Sequence, residues 1–208
     1  MTSSPQPKVR VRRTAENRRA EIVDGARRLA LSEGLDHVTL RSVADLLGVT
    51  GGLVSHYFPA VDGLLAEAFA LAAGAELEAA FAELETIDSP TERLGVLLHR
   101  LVDSTRGDLS TLWIDAWHAA RRRPALQDEV TCQSEAWIER LADLLQRGRD
   151  AREFTTDDAR TTAVRIMAVI DGLSVQATQR GTIDYQSVAQ LVFLIAETEL
   201  GMPAGSLT

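Results

Sequence analysis

The sequence predicts an all-α fold of about nine helices, and three observations carry that prediction. From about residue 14 onward, apolar residues recur at three- and four-residue intervals almost everywhere. No stretch alternates apolar and polar residues over the length of a strand, and there is no internal repeat. All six prolines lie in the first dozen residues or at a break in the periodicity, where they interrupt no helix.

The elements follow in order. Residues 1–13 are polar, proline-bearing and basic, the composition of a flexible arm. A helix of about 19 residues comes next, with Ile22, Ala26, Leu29 and Ala30 on one face and Gly34 to end it. Thr39 N-caps a short helix whose apolar positions are Leu40, Val43, Ala44 and Leu47. Gly48 ends that helix, and Thr50 caps another reaching Tyr57. Phe58-Pro59 breaks the chain before a long alanine-rich helix through Leu84. Ser89-Pro90-Thr91-Glu92 is a capping box with proline at the first helical position, opening a helix that carries Leu94, Leu97, Leu98 and Leu101. A tryptophan-bearing helix over about 110–122 and another from Pro124 to about Arg149 come next. Thr155 or Thr156 caps a helix to about Gln179, and a last one spans about Tyr185–Leu200, stopped by Gly201 and Pro203. The expected organisation is an arm (1–13), a three-helix domain (14–58) and a six-helix domain (59–208).

Composition narrows the function classes. The 208 residues are 45% hydrophobic and 25% charged, ordinary for a globular chain long enough to bury a core without staples. No apolar run approaches the ~18–20 residues of a membrane span, and the polar start lacks the apolar region of a signal peptide. Cys132 is the single cysteine, so an internal disulfide or a CxxC metal knuckle is excluded, and a buried hydrophobe is its commoner role than a redox sensor. A cytoplasmic protein is the expectation. The net charge of −8 is unevenly spread. Residues 1–58 hold nine Lys and Arg against six acids, a net +3, which leaves −11 on the rest. Such a split suits a basic part that faces a polyanion, or a solvated face with a basic tail.

Residues 39–58, TLRSVADLLGVTGGLVSHYF, have the spacing of a helix-turn-helix. Ala44 is the small residue where the second helix crosses the first. Gly48, four positions on, tolerates the positive φ of a sharp turn. Val49, Leu53 and Val54 supply the apolar contacts that follow. A plain helical corner in an all-α core is the competing reading of this spacing.

The basic arm, the 19-residue helix, this motif and the Phe-Pro junction to a long helix together resemble the TetR family of one-component repressors. The resemblance covers nearly the whole chain, and it implies a three-helix DNA domain followed by a six-helix regulatory domain. It also implies that Thr50, Gly51, Gly52, Ser55 and His56 face the major groove of a pseudo-palindromic double-stranded operator. Tyr57, Thr39 and Arg41 would meet phosphates, which position without reading sequence, and a helix start at Thr39–Ser42 favours an anion. Many members carry a lysine just after the Phe-Pro junction to grip phosphate. Here Val61 and Asp62 occupy that place, which shifts weight onto the N-terminal arginines.

WIDAWHAARRRPAL (113–126), Trp137 and Asp171-Gly172-Leu173 resemble the regulatory domain of BetI-type repressors, which respond to choline. Trp113 and Trp117, four apart, share a helical face, and Trp137 lies on the next helix. They suit either plain core packing or an aromatic-walled pocket, with Phe69 below and Asp103 or Asp171 as an anionic partner. The resemblance implies a small-molecule effector and favours a cation, although such walls suit flat apolar ligands equally. The resemblance further implies a homodimer through the last two helices, whose apolar face carries Ile166, Ile170, Leu173 and Ala177, then Val188, Leu191, Val192 and Ile195.

Catalysis finds little support. His99 with Asp103, and Asp115 with His118, have helical metal-ligand spacing, but a di-metal bundle site needs glutamates and Glu-x-x-His from two helices. GxSxG, HExxH and Walker A patterns are absent, so no catalytic residue, metal or cofactor is expected. A ligand-released repressor is the reading. The alternatives are an all-α interaction module or a helical enzyme, each with an incidental basic N-terminus.

Overall fold

The computed structural model describes residues 14–103, 107–178 and 185–207, and the basic arm and Gln179 therefore lie outside the described residues. The described chain is helical, without strands: α1 (Ala15–Glu33), α2 (Leu40–Leu47), α3 (Gly51–Tyr57), α4 (Val61–Ala82), α5 (Pro90–Leu101), α6 (Gly107–Ala120), α7 (Pro124–Asp150), α8 (Ala159–Thr178) and α9 (Tyr185–Glu199). No single described helix is long and apolar enough to cross a membrane.

Local chemistry sets most boundaries. Thr14 caps α1 by accepting from the Asn17 N–H, and Gly34 ends it at φ 93°, donating to the Ala30 carbonyl. A 3₁₀ turn, Leu35–His37, which periodicity did not disclose, follows. Two expected starts and one end move. α4 stops at Ala82, and Leu84 lies buried in the turn beyond it. α6 begins at Gly107 rather than near 110. The start of α8 is capped by neither Thr155 nor Thr156. Asp158 accepts from the Arg160 and Thr161 N–H groups at 3.0 and 3.4 Å, while Thr155 is drawn away to the Leu200 carbonyl. Ser89 caps α5 as expected, and its hydroxyl donates in turn to Glu153, which also accepts from the Thr91 N–H.

Burial divides the molecule into two cores. The first joins Ile22, Leu35, Val43 and Val54 of the N-terminal helices to Leu64 and Phe69 of α4, Leu112 and Ala116 of α6 and Leu126 of α7. The second gathers Leu77 and Leu84 with α5, the body of α7, α8 and α9. Trp113 packs against both. The C-terminal residues fold back on the second core. There the buried Glu197 carboxylate accepts from the Gly205 and Leu207 N–H groups, both at 3.0 Å.

Candidate functional site

The first candidate surface is built around Gly48. At φ 63° and ψ 35° it occupies the left-handed region, which costs glycine little, and its N–H closes α2 on Ala44 and Asp45. The turn sends Val54 into the first core beside Val43 and Ala44. Thr39 and Ser42 form a reciprocal capping box at the start of α2, and the Ser42 hydroxyl also donates to the His37 carbonyl at 2.8 Å. Thr50 caps α3 by accepting from the Leu53 N–H. With the apolar residues turned inward, Thr39, Arg41, Thr50, Gly51, Gly52, Ser55 and His56 all face solvent, and Tyr57 is half-buried with its ring edge-on to His56. Nothing lies within 4 Å of where a Cβ would stand at Gly51 or Gly52, so another molecule can approach that backbone closely.

Positive charge on this surface is scarcer than the sequence suggests. Arg18 pairs with Glu21, and Arg27 and Arg28 both pair with Asp24. Arg19 forks onto Glu67 of α4 with its guanidinium 4.7 Å above the Phe58 ring, and the Glu67 hydrogen bond raises its pKa further. These four arginines of α1 are thus engaged by three carboxylates within the protein. Arg41 is 92% exposed and its ion pair with Asp45 is long, 3.9 Å between exposed groups, which leaves it the freest of these to meet a phosphate. Asp62, standing beside the position where a phosphate-gripping lysine is common, pairs with Arg123 at the start of α7.

The second candidate site is a pocket of about 60 Å³ between α4, α6, α7 and α8, lined among others by Glu76, Trp113, Trp117, Trp137, Met167 and Asp171. Trp113 and Trp117 stand 5.7 Å apart at 45°. Phe69 is wholly buried and meets Trp113 edge-on at 4.9 Å, so it backs the wall rather than lining it. The Trp113 Nε1–H donates to Glu76 at 3.2 Å, which fixes the indole plane. Burial pushes the Asp171 carboxyl up to about 6. Three indole rings and two carboxylates thus line one concavity, aromatic surface and negative charge together. Asp103 does not line the pocket; it is an exposed residue just beyond α5. Sequence reasoning missed Glu76, because α4 is alanine-rich and largely apolar even where it is exposed, as at Leu71, Ala75 and Ala79, and so offers no polar face on which a carboxylate would stand out.

Other expectations resolve differently. The His99 ring lies against Phe193 at 4.6 Å, and Asp115 accepts from the Leu35 N–H at 3.1 Å. Among the described residues no three His, Cys, Asp or Glu side chains gather as metal ligands would. Cys132 is exposed, contrary to its expected burial. Of the apolar residues on the last two helices, Ile166, Ile170, Leu173 and Val192 are spent inside the second core, and Val188 and Ile195 are half-buried. Leu191 is exposed. It shares the outer surface of this helix pair with Val164, Val175 and the 54%-exposed Leu194.

Comparison with known proteins gives matches over most of the chain. Residues 22–68 match the family model of bacterial regulatory proteins of the tetR type, and residues 90–200 match that of the C-terminal domain of BetI-type transcriptional repressors. The transcriptional regulator BetI of Burkholderia thailandensis is 30% identical over 80% of this chain and 84% of its own. A transcriptional regulator of Saccharomonospora viridis, solved in complex with choline, is 26% identical over 85% of this chain and 94% of its own, with a TM-score of 0.70. A regulator of Haloarcula marismortui shares the fold at a TM-score of 0.76, with 24% identity over 88% of this chain and 98% of its own.

Proposed function

This chain is a transcriptional regulator of the TetR family with a BetI-type C-terminal domain, and from that premise we propose that it is a homodimeric repressor released from its operator by a small organic cation. The pocket carries the proposal. Trp113, Trp117 and Trp137 offer cation–π attraction of about 0.5–2 kcal/mol per ring, and Glu76 and Asp171 supply the opposite charge. Flat apolar compounds would gain from the rings but would leave two carboxylates desolvated without a counter-ion. The choline bound by the Saccharomonospora viridis regulator is a quaternary ammonium, the class this site suits.

Operator binding falls to Thr50, Ser55 and His56 for bases, with Thr39, Tyr57 and Arg41 for phosphates. Two such heads on a two-fold axis fit a pseudo-palindrome. Val164, Val175, Leu191 and Leu194 supply an apolar face for the partner protomer. Release is a population shift: the effector binds the arrangement whose heads are wrongly spaced for successive major grooves. The test is a mobility-shift titration on duplexes from the protein's own upstream region, repeated with choline, other amines and neutral aromatics. Specific retention that falls steeply with salt, and release by quaternary ammonium compounds alone, is the expected result. Release by neutral or anionic compounds with amines inert overturns the cation but leaves the repressor.

A further inference from the structure

We propose that Asp115 is a positioning residue that latches the effector pocket to the reading head, through its hydrogen bond to the Leu35 backbone. The inference rests on the pocket being the effector site. Helix α6 carries Trp113 and Trp117 in the pocket wall. Successive helical residues turn by about 100°, so Asp115, two positions from each, points about 160° away from both. There its Oδ2 accepts from the Leu35 N–H at 3.1 Å, at the start of the 3₁₀ turn that joins α1 to α2.

The turn is shaped to receive that carboxylate. The φ of 93° at Gly34 disfavours any side chain, and a Cβ there would press on Asp115 Oδ2 at 3.2 Å, so glycine leaves the carboxylate room. Beyond Leu35 the bonds run on toward DNA. The Val38 N–H donates to the Leu35 carbonyl, and Ser42, which locks the start of α2 with Thr39, donates to the His37 carbonyl. α6 also joins the first core through apolar residues, Leu112, Ala116 and Ala120 among them. Apolar packing resists separation but tolerates sliding. A directional bond fixes register, so a shift of α6 away from a ligand reaches α2 as a displacement of its first turn.

The test needs neither effector nor operator, so it stands or falls apart from the repressor reading. Trp137 belongs to the second core and lines the pocket from α7, so enlarging the pocket with Trp137→Ala perturbs α6 from its pocket side. Trp137→Phe serves where the larger deletion unfolds the protein. Hydrogen exchange across residues 35–47 is then followed in full-length protein with Asp115 intact, with Asp115→Ala, and with Asp115→Asn, whose carbonyl still accepts the Leu35 N–H. The expected result is a change of at least twofold in exchange when Asp115 is intact, abolished in Asp115→Ala and restored in Asp115→Asn. A change of equal size in Asp115→Ala overturns the proposal, and so does the absence of any change with Asp115 intact.

Discussion

Asp171 sits in the pocket with a carboxyl that desolvation has pushed up to about 6. Two consequences follow, of opposite sign. The folded carboxyl holds its proton more tightly than the unfolded one, near 3.9. Its contribution to stability is therefore complete below about 4 and lost as pH rises through about 6. Asp171→Asn, neutral throughout, is expected to raise stability at pH 7 by about 1–3 kcal/mol and to flatten its fall between pH 4 and 7, read by chemical denaturation. A bound cation needs the charged form, so its affinity should drop as pH falls through about 6 in the parent but not in Asp171→Asn, read by tryptophan fluorescence. Gly148 illustrates the other kind of single-residue constraint. A Cβ there would stand 2.0 Å from the Phe154 ring, so Gly148→Ala is expected to cost about 1–3 kcal/mol in thermal or urea unfolding. The three tryptophans could be read from spacing and neighbouring helices. Glu76, Asp171's partner across the pocket, could not, since a carboxylate in an alanine-rich run has no periodic signature until the packing is known.

At the scale of elements, α2 and α3 were the most legible part of the chain. Thr39, Gly48 and Thr50 each do in three dimensions what their chemistry dictates locally. The roles assigned to their exposed residues lead to a distinct pattern of losses. His56→Ala or Thr50→Ala is expected to weaken specific binding by about 1–3 kcal/mol and leave non-specific binding alone. Arg41→Ala should weaken both and lower the salt slope, since its head neighbours Arg18, Arg19, Arg27 and Arg28 are already paired within the protein. Quantitative mobility shifts on operator and random duplex distinguish the two outcomes. The cap of α8 and the inward face of α8 and α9 were harder to read. Thr155, Thr156 and Asp158 all have capping side chains, and which is used depends on where Leu200, just beyond α9, lies. Both helices carry apolar residues on two sides, so periodicity alone does not say which side meets the protomer's own core.

For the whole molecule, the outward set of α8 and α9 decides the assembly. Leu194→Glu or Leu191→Glu places a charge where the partner's same surface is expected, and desolvating it should give monomers that lose operator binding while keeping their fold. Sedimentation at micromolar concentration checks this, with the parent remaining a dimer.

The border at Phe58-Pro59, where sequence reasoning cut the chain in two, is not where the packing divides. Leu64, Leu65, Ala68 and Phe69, together with Leu112, Ala116 and Leu126, complete the core of the N-terminal helices. Descent by recombination is therefore constrained. A new reading head joined at residue 58 would inherit half a core built for another sequence, so exchange of operator preference between relatives should have travelled with α4 through Phe69 and with matching changes on one face of α6. Engineered chimeras ought to obey the same rule, with grafts ending at 58 melting earlier than grafts that carry α4 and repack α6.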